Sequence, residues 1–231
     1  MDSPMTAPVL IFDLDGTLVD SAPDLTHALN HTLAAVGLSP VTLDDVRFMV
    51  GLGARRLIEQ GVEWNGVSKT ENEIDELLAT FLGYYSRNLC VDTKLFPGAA
   101  EVIKDLASRH KLGICTNKPE ELAVRLIVEL GYAAHFPVIL GADSLPYKKP
   151  DARHVLATRD RLDPAAAAIM IGDSMTDVSA ARNAGIPVIA VSFGYSAIDP
   201  KEFGADVLID RFETLPGAID EIVRSGLLDR N

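Results

Sequence analysis

The sequence predicts an α/β protein, a doubly wound parallel sheet carrying an inserted α-helical domain. Three observations predict it. Short apolar runs recur along the chain without polar alternation, helical patterns separate most of them, and one long stretch after the first run holds helices alone. Runs without alternation mark strands covered on both faces. Strands alternating with helices build parallel sheets through right-handed crossovers.

The strand candidates, in order, are VLIF (9–12), LGIC (112–115), PVIL (137–140), AIMI (168–171), PVIAV (187–191) and DVLI (206–209). Between the first two, residues 22–91 show no strand signal. APDLTHALNHTLAAVG has apolar residues at 25, 28, 29, 33 and 36 before Gly37, and IDELLATFLGYYSRNL has them at 74, 77, 78, 81, 82, 85 and 89. Both are amphipathic stripes, and together they are too long for one crossover helix. The expected organisation is a core of residues 1–21 and 92–231 with a helical domain at 22–91, hinged near 20–22 and 91–97. FPGAAEVIKDLASRHK then reads as a helix with Pro97 at its start and basic residues at its end. NKPEELAVRLIVELG places Pro119 near a first turn, Glu120 and Glu121 at the positive dipole end, and Gly131 after the last apolar residue. Asp20-Ser21 reads as the N-cap of the first inserted helix, and Tyr84-Tyr85 as helix packing.

At 231 residues, 48% hydrophobic and 23% charged, the chain can bury a substantial core. Its 33 acidic residues against 21 Lys and Arg give a net charge of -12, which argues against nonspecific nucleic-acid or anionic-membrane binding. No run is long enough to span a bilayer, and residues 1–12 lack the pattern of a secretory leader. Cys90 and Cys115 have no CxxC spacing, so a reducing cytoplasm is expected. A phosphate-loop cysteine would need an arginine six residues on, where Cys115 has Glu121. Cys115 therefore reads as a small buried strand residue. GxxxxGK and GxSxG are both absent, which argues against a P-loop enzyme and an α/β serine hydrolase.

Ligands of a parallel sheet gather beyond the carboxyl ends of its strands. The first strand ends in Asp13, with Asp15, Gly16 and Thr17 in the turn. LGIC ends in Thr116 and Asn117, PVIL leads to Lys148 and Lys149, and AIMI ends in GDSMTD, giving Asp173 and Asp177. Several carboxylates at one pole would repel or take up protons unless a cation joined them, and Mg²⁺ takes such oxygen ligands. A carboxylate is a weak nucleophile, so phosphoryl transfer to one needs a cation, a lysine and in-line positioning. Asp15, two residues on across a tight turn, is placed to protonate a leaving alkoxide and then to activate water. Gly16 lets the backbone approach closely, and the helix after Pro119 favours an anion at the same pole.

DLDGT after a strand, Thr116 after a second, Lys149-Pro150 and GDSMTD together resemble the four motifs of the haloacid dehalogenase superfamily across nearly the whole chain. The resemblance implies a Rossmann-like core under a helical cap. It makes Asp13 the nucleophile and Asp15 the general acid and base, with Asp15 also lending a backbone carbonyl to Mg²⁺. It makes Thr116 a phosphoryl contact, Lys149 the charge neutraliser and Asp173 the remaining protein ligand of the metal; Gly16 and Asn117 are expected to bind substrate. Asp177 would orient Lys149 or a water of the metal. The family often has a second proline two residues after Lys-Pro, where this chain has Ala152.

Within that superfamily, Asp15 argues against a dehalogenase, and residues 47–60 lack the cap lysine expected of a phosphonate hydrolase. GLGARRLIEQGV, TNKP, GADSLPYKKP, GDSMTDV and FGYS look like the phosphoglycolate phosphatase branch. The implied activity is Mg²⁺-dependent hydrolysis of a small phosphate monoester such as 2-phosphoglycolate. A sugar-phosphate mutase on the same core is the alternative, and a receiver-type phosphoacceptor is the non-enzymatic one. VGLGARRLIEQ puts Arg55 and Arg56 in a helix first turn, where cations oppose the dipole at a cost of roughly 0.3–1 kcal/mol. One expectation is that either arginine meets the distal carboxylate of a two-carbon phosphoester when the cap closes. The competing one is that both are solvated surface charge.

Overall fold

The computed structural model describes residues 7–229. Residues 1–6, at the start of the expected core and of the stretch read for a leader, lie outside the described residues, as do 230–231. A central parallel sheet contains β1 (Val9–Phe12), β4 (Leu112–Cys115), β5 (Val138–Leu140), β6 (Ala168–Gly172), β7 (Val188–Val191) and β8 (Val207–Ile209), in the order β5-β4-β1-β6-β7-β8. These are the six runs read from the sequence, and the sheet reverses its winding beside β1.

Both faces of each inner strand are buried, which is why the runs show no alternation. Leu10 and Phe12 face one apolar layer with Ile114, Ile169 and Ile189, while Val9 and Ile11 face the other with Met170 and Val188. The first layer is closed by α5 (Ala99–Ala107), α6 (Glu120–Glu129) and α9 (Leu215–Arg224), through Ile103, Leu126 and Ile219. The second is closed by α7 (Ala152–Leu162) and α8 (Met175–Asn183), through Val155 and Val178. Each such side chain contributes about 1.5–3 kcal/mol relative to leaving it exposed.

Residues 22–87 hold α1 (Ala22–Ala35), α2 (Leu43–Met49), α3 (Ala54–Trp64) and α4 (Glu71–Arg87). Their apolar stripes meet in one cluster that contains Leu25, Leu29, Leu33, Leu57, Ile74 and Phe81. Thr42 with Asp45 and Thr70 with Glu73 form reciprocal capping boxes that start α2 and α4. No described helix is long and apolar enough to cross a membrane.

Two features of the hinge differ from the sequence expectation. The segments entering and leaving the helical region pair as an antiparallel ribbon, β2 (Val19–Asp20) with β3 (Lys94–Leu95), joining Val19 to Leu95 and Asp20 to Lys94. Two-residue strands carry no periodicity to detect. Ser21 occupies the N-cap of α1 but makes no side-chain cap bond. Its hydroxyl instead donates to Asp15 Oδ1 at 2.6 Å. The first turn of α1 also carries Asp24, buried, which accepts N–H bonds from Val91, Asp92 and Thr93 at 2.9–3.1 Å and the Thr93 hydroxyl at 2.7 Å. One carboxylate thereby ties the outgoing helix to the returning loop.

Candidate active site

Each polar group of the site sits where a strand stops. β1 ends and the chain turns at Asp13–Gly16, with Gly16 at φ +87°. A Cβ at Gly16 would lie 2.2 Å from Asp173 Oδ2, so the position excludes any other residue both by conformation and by space. Asp13, Asp173 and Asp177 are all buried, and each can offer an oxygen within 4.8 Å of the others. Lys149, also buried, lies between two of them, 2.8 Å from Asp13 Oδ1 and 2.6 Å from Asp177 Oδ1. Lys148, its neighbour, is exposed. The lysine beside Pro150 is therefore the one in the site, despite Ala152.

Local structure fixes these carboxylates. Ser174 and Asp177 form the capping box of α8. Asp177 Oδ2 accepts from the Asp173 and Ser174 N–H groups at 3.2 and 3.1 Å and from the Ser174 hydroxyl at 2.7 Å, leaving Oδ1 for Lys149. Asp173 accepts from the Thr17 hydroxyl at 2.8 Å and from the Tyr195 N–H at 2.7 Å. The Tyr195 hydroxyl reaches the hinge, bonding to Asp20 and accepting from the Ala22 N–H at 2.9 Å. The FGYS segment thus holds a site carboxylate at one end and the first hinge strand at the other. Arg47 on α2 meets the same Asp20 at 3.3 Å.

Electrostatics follow from three buried carboxylates sharing one lysine. Burial pushes the Asp13 carboxyl up to about 7, against the pull of Lys149. Burial, then Asp177 and Asp13, raise Asp173 well above the usual carboxylate range. Burial acts to lower Lys149, but Asp13 and Asp177 outweigh it and the ammonium is held firmly charged. The cluster has an excess of negative charge that a hard divalent cation would neutralise, and its donors are all oxygens.

A cleft opens in front of Asp13 and Asp15. Thr116 and Asn117 line its floor, and Leu25, Val50, Leu57, Phe81 and Leu82 give it an apolar roof. Thr116 is buried at the end of β4, its hydroxyl accepting the Lys118 N–H at 3.2 Å. Asn117 donates to the carbonyls of Gly51 and Lys149 at 3.3 and 3.2 Å, joining the loop before α3 to the core.

Sequence reasoning missed Lys118. Its ammonium contacts both oxygens of Asp15, at 3.0 and 3.2 Å, and donates to the Tyr85 hydroxyl at 2.6 Å. Burial acts to lower Lys118, while Asp15 and Tyr85 together keep it raised. Tyr85, read as packing, does pack against Phe81, but its hydroxyl end belongs to the cleft. The TNKP motif held the lysine in plain view; its partner on α4 could not be read from it.

Arg55 and Arg56 do not line the cleft. Arg55 pairs with Glu71 at 3.1 Å and with Asp75, and Arg56 with Glu59 and Glu63 at 3.2 and 3.1 Å. Both are partly exposed on the α3 surface, where neighbouring acids offset the dipole cost. Cys115 is fully buried, and burial pushes its thiol up to about 12, consistent with an inert strand residue.

His154, fully buried on α7, is the remaining titratable group behind the site. Burial, and then the charge of Lys149, push its imidazole down to about 4. A folded-state pKa below the unfolded one means stability that is present above about pH 6.5 and lost as pH falls toward 4. His154→Leu is expected to flatten that part of the stability profile, removing an acid-side loss of about 3 kcal/mol. Urea midpoints between pH 4 and 7 check this, and an unchanged slope in the variant would assign the acid lability elsewhere.

A family model described as haloacid dehalogenase-like hydrolase matches residues 10–191. The chain is 42% identical to the phosphoglycolate phosphatase of Agrobacterium fabrum over 229 residues, 98% of either chain. It is 41% identical to that of Caulobacter vibrioides over 218 residues, covering 94% of this chain and 92% of the other. Among solved structures it resembles a predicted phosphoglycolate phosphatase from Haemophilus somnus, with a TM-score of 0.84 and 31% identity over 94% of this chain and 99% of that one.

Proposed function

The chain belongs to the haloacid dehalogenase-like hydrolases, and from that premise we propose a Mg²⁺-dependent phosphatase that cleaves small phosphate monoesters, 2-phosphoglycolate foremost, through an aspartyl-phosphate on Asp13. One observation carries the reading. Asp13 stands at the carboxyl end of the central strand, 2.8 Å from a buried lysine and within a trio of buried carboxylates that is short of positive charge. The substrate class follows the 41–42% identical relatives named phosphoglycolate phosphatase.

Asp13, Asp173 and the backbone carbonyl of Asp15 would hold the Mg²⁺. When bound, it supplies positive charge that lets the carboxylates stay ionised beside a phosphoryl group. Asp13 attacks phosphorus, forming a carboxylate O–P bond as the ester O–P bond breaks. Asp15 gives its proton to the departing alkoxide. Asp15 then takes a proton from water, whose oxygen attacks the acyl phosphate and releases inorganic phosphate. Lys149 offsets charge at Asp13 throughout, Asp177 aims Lys149, and Thr116 faces the phosphoryl oxygens, whereas the Asn117 amide, expected to bind substrate, donates instead to the Gly51 and Lys149 carbonyls. Residues 22–91 act as a cap over a core of 1–21 and 92–231, and its apolar roof excludes water from the acyl phosphate. The working compartment on this reading is the cytoplasm.

Phosphate release from 2-phosphoglycolate, abolished by EDTA and restored by Mg²⁺, is the direct test. No release from any small phosphate monoester would reject the reading. The two aspartates separate further. Asp173→Asn is expected to weaken Mg²⁺ binding about 10- to 100-fold, whereas Asp15→Asn keeps it within about threefold because its contact is through the backbone. Mg²⁺ titrations of thermal stability measure this without turnover, and equal affinities in the two variants would overturn the assignment.

A further inference from the structure

We infer that Lys118, aimed by Tyr85 of α4, selects substrates whose carboxylate sits on the same carbon as the phosphate ester. This rests on the reading of the site as a phosphatase for small phosphate esters, and it gives that reading a recognition element other than the arginines of α3.

Charge comes first. Among the described residues, the ionisable ones lining the cleft are Asp13, Asp15, Tyr85 and Lys118, so Lys118 is the cation next to Asp15, while Lys148 Nζ lies at the rim, 3.9 Å from where a Cβ on Gly53 would stand. The arginines are occupied by Glu59, Glu63, Glu71 and Asp75, and Lys149 is held behind Asp13 by two carboxylates. An anionic group held close to Asp15 meets the Lys118 ammonium, whereas Lys148 stands out at the rim by Gly53.

Reach comes second. If Asp15 hands a proton to the ester oxygen, its carboxyl lies within about 2.6–3.2 Å of that oxygen. Lys118 Nζ is 3.0 and 3.2 Å from the two oxygens of the same carboxyl. The ammonium therefore sits one hydrogen bond from the group that touches the leaving oxygen. In 2-phosphoglycolate the carboxylate is attached to the carbon bearing that oxygen, which brings it within reach of Lys118. A carboxylate one methylene further out would be pushed against Leu57, Phe81 and Leu82, where burial of an unpaired charge is costly.

Aim comes third. An ammonium on a four-carbon stem has little directionality of its own. Here the ammonium lies over the Tyr85 ring, with Nζ 4.5 Å from its centroid, and the tyrosine hydroxyl accepts one N–H at 2.6 Å. Before substrate arrives, the other donors are shared by the two Asp15 oxygens. An incoming carboxylate takes over part of that hold, which leaves an Asp15 oxygen for the ester. Because Tyr85 comes from the helical region and Lys118 from the core, recognition is complete only when the two are packed together.

The test compares kcat/KM for 2-phosphoglycolate, for 3-phosphonooxypropanoate and for uncharged-tail ethyl phosphate, in wild type, Lys118→Met, Lys118→Arg and Tyr85→Phe, all at saturating Mg²⁺. Wild type is expected to prefer 2-phosphoglycolate over both others. Lys118→Met should cut its preference over ethyl phosphate roughly 10- to 100-fold, the worth of a charged hydrogen bond. The loss should fall mainly on KM, and Lys118→Arg should recover part of it. Tyr85→Phe should give a smaller shift in the same direction. A Lys118→Met enzyme that keeps the wild-type preference overturns the inference and leaves the phosphatase reading standing. A wild type that hydrolyses all three esters equally overturns the inference as well, and one that hydrolyses none overturns the phosphatase reading itself.

Discussion

Asp13→Asn is expected to fold as the wild type does and to lose turnover by roughly four orders of magnitude or more, the scale seen when a nucleophile is removed from a site whose other parts remain. The side chain keeps its shape, and Lys149 keeps its bond to Asp177 at 2.6 Å, so the cluster stays packed. What disappears is the oxygen nucleophile and with it the acyl phosphate. Steady-state rates after metal stripping and Mg²⁺ restoration read the loss, and mass spectrometry of acid-quenched wild type should show a phosphoryl adduct on the peptide containing Asp13. A variant with near-wild-type rates would move the nucleophile elsewhere.

Lys149→Met is expected to damage both activity and stability. The lysine is enclosed, with a side chain 1% exposed, and among the described residues it is the only cation within ion-pair distance of Asp13 and Asp177. Removing one partner of a buried ion pair costs about 3–5 kcal/mol, because the charge left behind has neither water nor a counter-ion. Denaturant midpoints of the metal-free protein at neutral pH measure that loss. Divalent metal should return part of the stability, since it neutralises the same carboxylates, but not the rate. A loss below about 1 kcal/mol would mean that the carboxylates do not depend on the lysine.

The fold was legible because its strands are covered on both faces. VLIF, LGIC and AIMI are apolar at every position, and the structure puts alternate residues of each into two separate layers. The clustered aspartates were legible because strand ends in a parallel sheet converge by construction. What was not legible depends on contacts between distant elements. Lys118 gains its role from Asp15 and from a tyrosine on α4, and the hydroxyl of Tyr195 from a hinge far along the chain. The arginines of α3 were read with two outcomes open, a substrate carboxylate or solvated charge, and their acidic partners were not weighed. Reasoning from the helix dipole weighed only their own first turn, although Glu59 and Glu63, one and two turns on, were visible at helical spacing from Arg56. The hinge ribbon was hidden by its length, two residues on each side.

A ribosome delivers β1 long before that strand has anything to pair with. Leu10 lies between Leu112 and Ile169, so both neighbours of the central strand are still unmade when VLIF emerges. At roughly 5–20 residues per second, the strand waits on the order of ten seconds, apolar on both sides and with unpaired edges. The segment that emerges next is α1 to α4, whose contacts with one another are close in sequence and therefore quick to form. The first body able to fold during synthesis is thus the one that roofs the cleft in the finished molecule. The acidic pole, built from strand ends spread over most of the chain, is assembled only after these helices.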